Sequence, residues 1–394
     1  MRKGTILLLA CLLNAFTALA QNPTVQQMLN AVSADSLVWR AQRLTGQVAV
    51  NMGNSPVTIL SRNSFQPGNA LAATWLQQEL QRMGYAPSTQ VFSGDGANVL
   101  AEKPGLVHPE RKVIICAHYD AMPGGTAAPG ADDDGSGVCA VLEAARTMAT
   151  QEFGNTVVFA LWDKEEQGLL GSAYYASVAG SNDEQITAVV NMDAIGYDGN
   201  GDGLLRIHAR PVANSIAIKD SALLVNSTYG LDLPIAVNNP GETYSDHASF
   251  WSEGYGAILL IEDFDDDPNP HYHTPNDELQ YLDTAYWANL TRLAIGTTAV
   301  LAIPTEPVGI RETKAQPVFQ LWPNPAHGSV EIHIGGEGAR ADELLLMDAT
   351  GRTVRAWSLP LAAQRLPLDG ISPGTYLVRA TGVPHAAQRL VVMP

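Results

Sequence analysis

The stretch Val113-Ile114-Ile115-Cys116-Ala117-His118-Tyr119-Asp120 decides the fold, because a short apolar, β-branched run ends directly on a histidine and an aspartate. The construction recurs twice. Thr156-Val157-Val158-Phe159-Ala160-Leu161-Trp162 leads into Asp163 and the pair Glu165-Glu166, and Ala188-Val189-Val190-Asn191-Met192 leads into Asp193. Runs of this length and composition read as strands buried in a sheet. In an open α/β sheet, ligands bind at the carboxyl edge, where these side chains would gather. Imidazoles and carboxylates converging on one edge point to a metal site rather than to unrelated surface charges.

Helical spacing surrounds these strands. It predicts helices over Val25 to Leu44, Asn69 to Met83, Val138 to Thr150, Leu170 to Val178, Val212 to Tyr229 and Leu282 to about Leu301. The fold class expected is therefore α/β, with a mixed, mostly parallel central sheet flanked by helices and spanning residues 21–303. Pro304, Pro307 and Pro317 punctuate a polar linker over 304–317. From residue 318 to 394, short alternating segments separated by Gly, Pro and Asp turns predict a small all-β sandwich.

Residues 1–20 combine Arg2 and Lys3, an apolar run from Ile6 to Leu13 and Ala18-Leu19-Ala20, the pattern of a cleaved signal peptide. After it no apolar stretch approaches the roughly 20 residues of a membrane helix, so no transmembrane segment is expected in the mature chain. A formal net charge of −17 over 394 residues argues against nucleic acid as a partner. Cys116 and Cys139 sit within a predicted strand and a predicted helix, so no disulfide framework is expected.

The loop Pro129-Gly130-Ala131-Asp132-Asp133-Asp134-Gly135-Ser136-Gly137 offers a carboxylate that could bridge two divalent cations with its two oxygens. A calcium loop or a capped helix start are its competing readings. Histidines elsewhere favour a transition metal, since calcium prefers all-oxygen sites. In the adjacent Glu165-Glu166 pair, one residue can ligate while its neighbour acts as general base. Asp120 can orient His118 as a carboxylate behind the ligand. The run His271-Tyr272-His273-Thr274-Pro275-Asn276-Asp277 adds a further imidazole, and spacing does not choose between His271 and His273.

The motifs Ala117-His118-Tyr119-Asp120, Gly130 to Gly137, Glu165-Glu166-Gln167-Gly168, Asn191-Met192-Asp193, Ser245-Asp246-His247 and His273-Thr274-Pro275-Asn276-Asp277 follow in an order that resembles the M28 zinc aminopeptidases of the bacterial leucyl type. The resemblance covers about residues 25 to 303. It implies two Zn2+ per chain, with Co2+ or Mn2+ as substitutes. Asp133 would be the bridging ligand, His118 and Asp193 would complete one site, and Glu166 and His273 the other. Glu165 would be the general base, Asp120 would orient His118, and peptides would be the substrates. Asp246 and His247 match a motif near the substrate cleft. Glu242 of Gly241-Glu242-Thr243-Tyr244 stands where some of these enzymes carry a tyrosine. Glu242 is expected to line the cleft and favour a positive group, with Tyr244 beside it.

Leu321-Trp322-Pro323-Asn324-Pro325-Ala326, Asp348-Ala349-Thr350-Gly351-Arg352 and Leu368 to Tyr376 resemble the type A sorting domain of the type IX secretion system. That implies contact with this secretion machinery and a secreted or cell-surface location after periplasmic export. The function expected is an exported dinuclear zinc aminopeptidase. A carboxypeptidase of the same family, a single-zinc enzyme like glutaminyl cyclase and a non-catalytic binding protein on this fold are the alternatives. Gly370-Ile371-Ser372-Pro373-Gly374 matches a serine-hydrolase elbow only in letters, since a strand rather than a helix is expected after it.

Overall fold

A computed structural model of the chain describes residues 21–53, 55–303, 319–334, 343–348, 351–358, 364–381 and 387–393. The signal peptide expected over 1–20 and the linker expected over 304–317 lie outside the described residues. The chain divides into two compact units, residues 1–306 and 307–394.

The first unit opens with helices α1 (Pro23–Ala31) and α2 (Ala34–Leu44), strands β1 (Val50–Met52) and β2 (Ser55–Val57), and α3 (Pro67–Arg82). Next come β3 (Ser88–Val91), β4 (Ala97–Lys103), β5 (His108–His118), α4 (Gly135–Met148), β6 (Asn155–Trp162), α5 (Leu170–Ser181) and β7 (Gln185–Met192). β8 (Leu205–His208), α6 (Ser215–Thr228), β9 (Ile235–Asn238), α7 (His247–Ser252), β10 (Ala257–Glu262) and α8 (Thr284–Ala302) complete it.

Eight strands form one sheet in the order β3-β4-β6-β5-β7-β10-β8-β9. The central four, β6, β5, β7 and β10, run parallel, so all four carboxyl ends meet at one edge. β4 and β8 join this block antiparallel. Alternation along β5 explains why its run is apolar throughout. Val113, Ile115 and Ala117 enter the larger core with Leu142, Phe159 and Trp287, while Ile114 and Cys116 enter a second core with Tyr175, Phe250 and Trp251. Both faces are covered, as a parallel sheet requires. Cys116 and Cys139 are buried and free.

The helix expected over Val25 to Leu44 is two. Val32 turns extended (ψ 126°), and the Ser33 hydroxyl caps α2 by accepting from Ser36 N at 3.2 Å. The apolar period runs through the break because both helices bury one face: Val25, Met28, Leu29, Leu37, Ala41 and Leu44 are all sealed in the core. Arg40 of α2, also buried, meets Glu143 of α4 at 2.7 Å. α1 lies against α8, where Gly296 makes room for it. A Cβ there would come 2.6 Å from Val225 Cγ1 and 3.2 Å from Leu29 Cδ2.

The second unit contains β11 (Phe319–His327), β12 (Ser329–Ile334), β13 (Glu343–Met347), β14 (Thr353–Ser358), β15 (Gln364–Pro367), β16 (Gly374–Ala380) and β17 (Ala387–Val392). Their order is β14-β13-β16-β17-β11-β12-β15. β11 serves both halves, pairing antiparallel with β12 and, at Ala326, parallel with Val392 of β17. Phe319, Val330, Leu344, Val378 and Leu390 form the core between them. Sequence spacing misses β11, where Pro323 and Pro325 interrupt any strand pattern, and the four-residue β15. No helix among the described residues is long and apolar enough to cross a membrane.

Two outcomes follow from the N-terminal packing. Glu143→Ala strands the buried Arg40 guanidinium and lowers stability by about 3–5 kcal/mol, read as a fall in the urea midpoint. Deleting residues 21–45 strips seven buried apolar side chains from the core, Val32 among them, and yields insoluble chain, checked by soluble expression and circular dichroism.

Candidate metal centre

The parallel strands deliver their side chains to the shared edge as their ends predict. His118 is the last residue of β5, Glu165 and Glu166 stand in the turn after β6, and Asp193 follows β7. Asp133 lies in the turn before α4, and His273 lies between β10 and α8. Five of these residues form two groups, His118 with Asp133 and Asp193, and Asp133 with Glu166 and His273, whose ligand atoms lie within 4.8 Å of one another. Asp133 belongs to both. Its Oδ1 lies 3.2 Å from His118 Nε2 and its Oδ2 3.0 Å from His273 Nε2. Asp193 Oδ1 is 3.5 Å from His118 Nε2, and Glu166 Oε2 is 3.0 Å from His273 Nε2. His271 is excluded from both groups and stacks instead on Tyr281, with ring centroids 3.8 Å apart.

Three successive aspartates have three different positions. Asp132 turns inward, accepting from Gly196 N at 2.9 Å and Asn269 Nδ2 at 2.8 Å. Asp134 caps α4 through Gly137 N at 2.9 Å and also accepts from His118 N at 3.1 Å. Only Asp133 faces the ligand groups. Its main chain is held from below by Asp277, whose carboxylate accepts from the backbone N–H of both Asp132 and Asp133 at 3.0 Å. Asp277 closes the His273 motif, so it ties the two ligand loops together.

Asp120 braces two ligands at once. Its carboxylate accepts from Glu165 N at 3.0 Å and Glu166 N at 3.3 Å, while its main-chain oxygen lies 3.2 Å from His118 Nδ1. Glu165 ends up buried, with Oε2 3.9 Å from His118 Nε2, and belongs to neither ligand group.

Crowding distorts the proton affinities. Burial pulls the His118 imidazole down, but Glu165, Asp120, Asp133 and Asp193 outweigh it and hold it well above its ordinary value. Burial likewise opposes His273, yet contact with Asp133 and Glu166 carries it to about 10. The two imidazoles overcome burial at Asp133 and hold it well below the usual carboxylate range. Burial is the main cause that lifts Glu166 to about 7 and Glu165 well above its normal range. The cluster holds more carboxyl groups than its two imidazoles could balance if all were ionised, and a cation would favour their ionised forms. Asp133 Oδ2, Glu166 Oε1 and His273 Nε2 are buried without hydrogen-bond partners, although the first and last lie 3.0 Å apart. Buried polar atoms without partners in such a cluster are what a metal site would leave before its ion is bound. His273 itself sits at φ 57°, a strained conformation for a side-chain-bearing residue.

A cavity of about 680 Å³ opens over these groups. Its walls include Leu169, Thr243, Tyr244, Ile261, Phe264 and Tyr272. Of the four residues expected at the substrate cleft, Tyr244 alone lines it. Glu242 is exposed outside the wall, because its N–H is drawn back to His208 Nδ1 at 3.0 Å. Asp246 and His247 are wholly buried at the start of α7, with His247 Nε2 donating to Glu242 O at 2.9 Å. Sequence reasoning misses the apolar wall. Tyr272 stands in a quoted motif, but nothing in the sequence marks it, Leu169, Ile261 or Phe264 as a wall of the cavity.

Residues 98–298 match the model of peptidase family M28. The chain belongs to that family. Residues 320–393 match the secretion system C-terminal sorting domain. A protein of Trichophyton verrucosum named "Probable leucine aminopeptidase" is 32% identical over 245 residues, covering 57% of this chain and 64% of that protein. "Leucine aminopeptidase 1" of Ajellomyces dermatitidis is 28% identical over 250 residues, covering 59% and 64%. The match therefore spans just under two thirds of these relatives. In fold, the M28 unit is similar to an aminopeptidase of Legionella pneumophila (TM-score 0.61, 23% identity, 72% of this chain and 76% of that one). It is also similar to a glutaminyl cyclase of Porphyromonas gingivalis (TM-score 0.54, 20% identity, 68% and 98%).

Asp277→Ala tests the brace beneath Asp133. Two buried N–H groups lose their acceptor at about 1–3 kcal/mol each, and divalent-metal affinity falls about 10–100-fold, measured by thermal unfolding and metal titration.

Proposed function

We propose that this M28 chain is an exported, dinuclear zinc aminopeptidase that removes N-terminal residues from peptides. The observation that carries the reading is the sharing of Asp133 between two ligand groups. His118, Asp133 and Asp193 would hold one zinc and Asp133, Glu166 and His273 the other, and the bound pair would supply Lewis acidity to the scissile carbonyl and the attacking water. The mixture of imidazole nitrogen and carboxylate oxygen suits zinc, with cobalt or manganese as substitutes, better than calcium.

Glu165 is left for proton transfer. It lines the cavity beside both groups, takes the proton of the attacking water, and returns it to the departing amine. Asp120 fixes that carboxylate through the Glu165 N–H and keeps His118 in place on its other side. The apolar wall of Leu169, Ile261, Phe264 and Tyr272 accommodates an uncharged side chain, in keeping with the leucine aminopeptidase names of the relatives. The glutaminyl cyclase likeness raises a single-zinc alternative, but all five ligand positions are filled here. A signal peptide at 1–20 and the sorting domain at 320–393 support export by the type IX route to the medium or the cell surface.

The purified full chain is expected to cleave aminoacyl chromogenic amides with apolar residues and to spare their N-acetylated forms, with two zinc ions per chain by elemental analysis. Cleavage of the blocked substrates sinks the aminopeptidase reading, and one tightly held ion per chain returns the cyclase one. Glu165→Gln is expected to lose about 10²- to 10⁴-fold in kcat while retaining both ions. Full activity in that variant removes Glu165 from its role.

A further inference from the structure

We propose that Arg62 is a positioning residue of the metal centre, setting the separation between the turn that carries His118 and the turn that carries Asp133. The proposal rests on the metal-centre reading above. Arg62 lies between β2 and α3 and is fully buried. Its Nε donates to Tyr119 O at 2.8 Å, its Nη2 to Gly130 O at 2.8 Å, and its Nη1 to Pro129 O. Tyr119 follows His118 directly, and Pro129-Gly130 open the loop that reaches Asp133. One guanidinium therefore spans both ligand-bearing turns.

A planar fork is needed for this. Burying a charge against neutral carbonyls is costly unless the geometry is well satisfied, and an apolar side chain would fill the same volume without that cost. An arginine presents donors in fixed directions on a rigid frame, which sets a distance between two backbones where a lysine would make a single flexible contact. The acids beyond the loops, Asp277, Asp134 and Asp133, also attract its charge through space. Gly130, at φ 51°, sits in a crowded turn where a Cβ would stand 2.4 Å from Asp133 O, 2.6 Å from Ala121 Cβ and 2.9 Å from Arg62 Nη2.

Residues beside Arg62 extend the same frame. Ser61 bridges to Ala128 as a lone parallel pair, and Asn63 Nδ2 donates to Ala121 O at 3.1 Å. Asn69 Nδ2 joins Arg62 O at 3.1 Å to Asp163 Oδ1 at 2.8 Å, and Ser64 Oγ donates to Gln167 Oε1 at 2.5 Å. The nine residues from Ser61 to Asn69 thus reach the turns after β5, before α4 and after β6. None of them is in either ligand group or lines the cavity.

The test compares full-length wild type, Arg62→Lys, Arg62→Met and Arg40→Met, each stripped of metal and titrated with Zn2+ against a chromogenic chelator. Arg40 is the control for a buried arginine remote from the ligands. Zinc affinity is expected to fall about 10-fold in Arg62→Lys and about 100-fold in Arg62→Met, the range for groups that orient ligands, with the d–d spectrum of the Co2+-loaded forms altered. Arg40→Met is expected to lower the melting temperature of the metal-free protein and leave zinc affinity and the cobalt spectrum unchanged. Arg62 variants that lose melting temperature but match wild type in affinity and spectrum overturn the proposal. Should Arg62→Met not fold, Arg62→Lys and Asn63→Ala decide, and wild-type zinc affinity in both overturns it. Wild type that binds no zinc overturns the metal-centre reading and this proposal together; failure of the proposal alone leaves wild type with its ions.

Discussion

One carboxylate facing two imidazoles is the constraint around which the edge of this sheet is organised. Asp133 meets His118 through one oxygen and His273 through the other, so neither oxygen is free to bond the protein frame. Its orientation must come from its main chain. Asp277 supplies this by accepting the N–H groups of Asp132 and Asp133, and the neighbouring aspartates turn away to their own partners. Carboxylates this close repel one another. Asp132 and Asp134 are held in separate directions by backbone and side-chain amides, which leaves Asp133 to the imidazoles.

Much of this was legible in the chain. Apolar runs that end on His118, Asp163 and Asp193 marked strands with functional ends, since a strand buried on both faces has nowhere to place a charge except beyond its terminus. What stayed hidden was direction. Asp132, Asp133 and Asp134 are chemically identical, and only the fold reveals that one caps a helix and another points inward. Glu242 shows another case, a residue expected at the cleft that is not among those lining the cavity and whose N–H donates to His208 Nδ1. The short β8, β9 and α7 lacked a long enough periodic run to be seen, and the break at Val32 hid behind an apolar stripe that both helices share.

Family membership and geometry speak to different questions here. M28 membership rests on residues 98–298, while the helices of residues 23–44 lie outside that match yet contribute fully buried side chains to the same core. Solved structures with 23% and 20% identity carry the fold only, and both an aminopeptidase and a cyclase share it. Function therefore has to be argued from the site, where two ligand groups meet under an apolar cavity.

The contact between α1 and α8 bears on the order of events in synthesis. The first described helix of this unit is completed by its last, with Arg292 of α8 donating to Leu29 O at 3.3 Å. Until residues near 302 have emerged, the opening helices have no partner there, and the core cannot close. Contacts between the two ends of a long chain form late and slow folding. A chain whose two ends must meet before its core closes stays pliable for as long as it is being made.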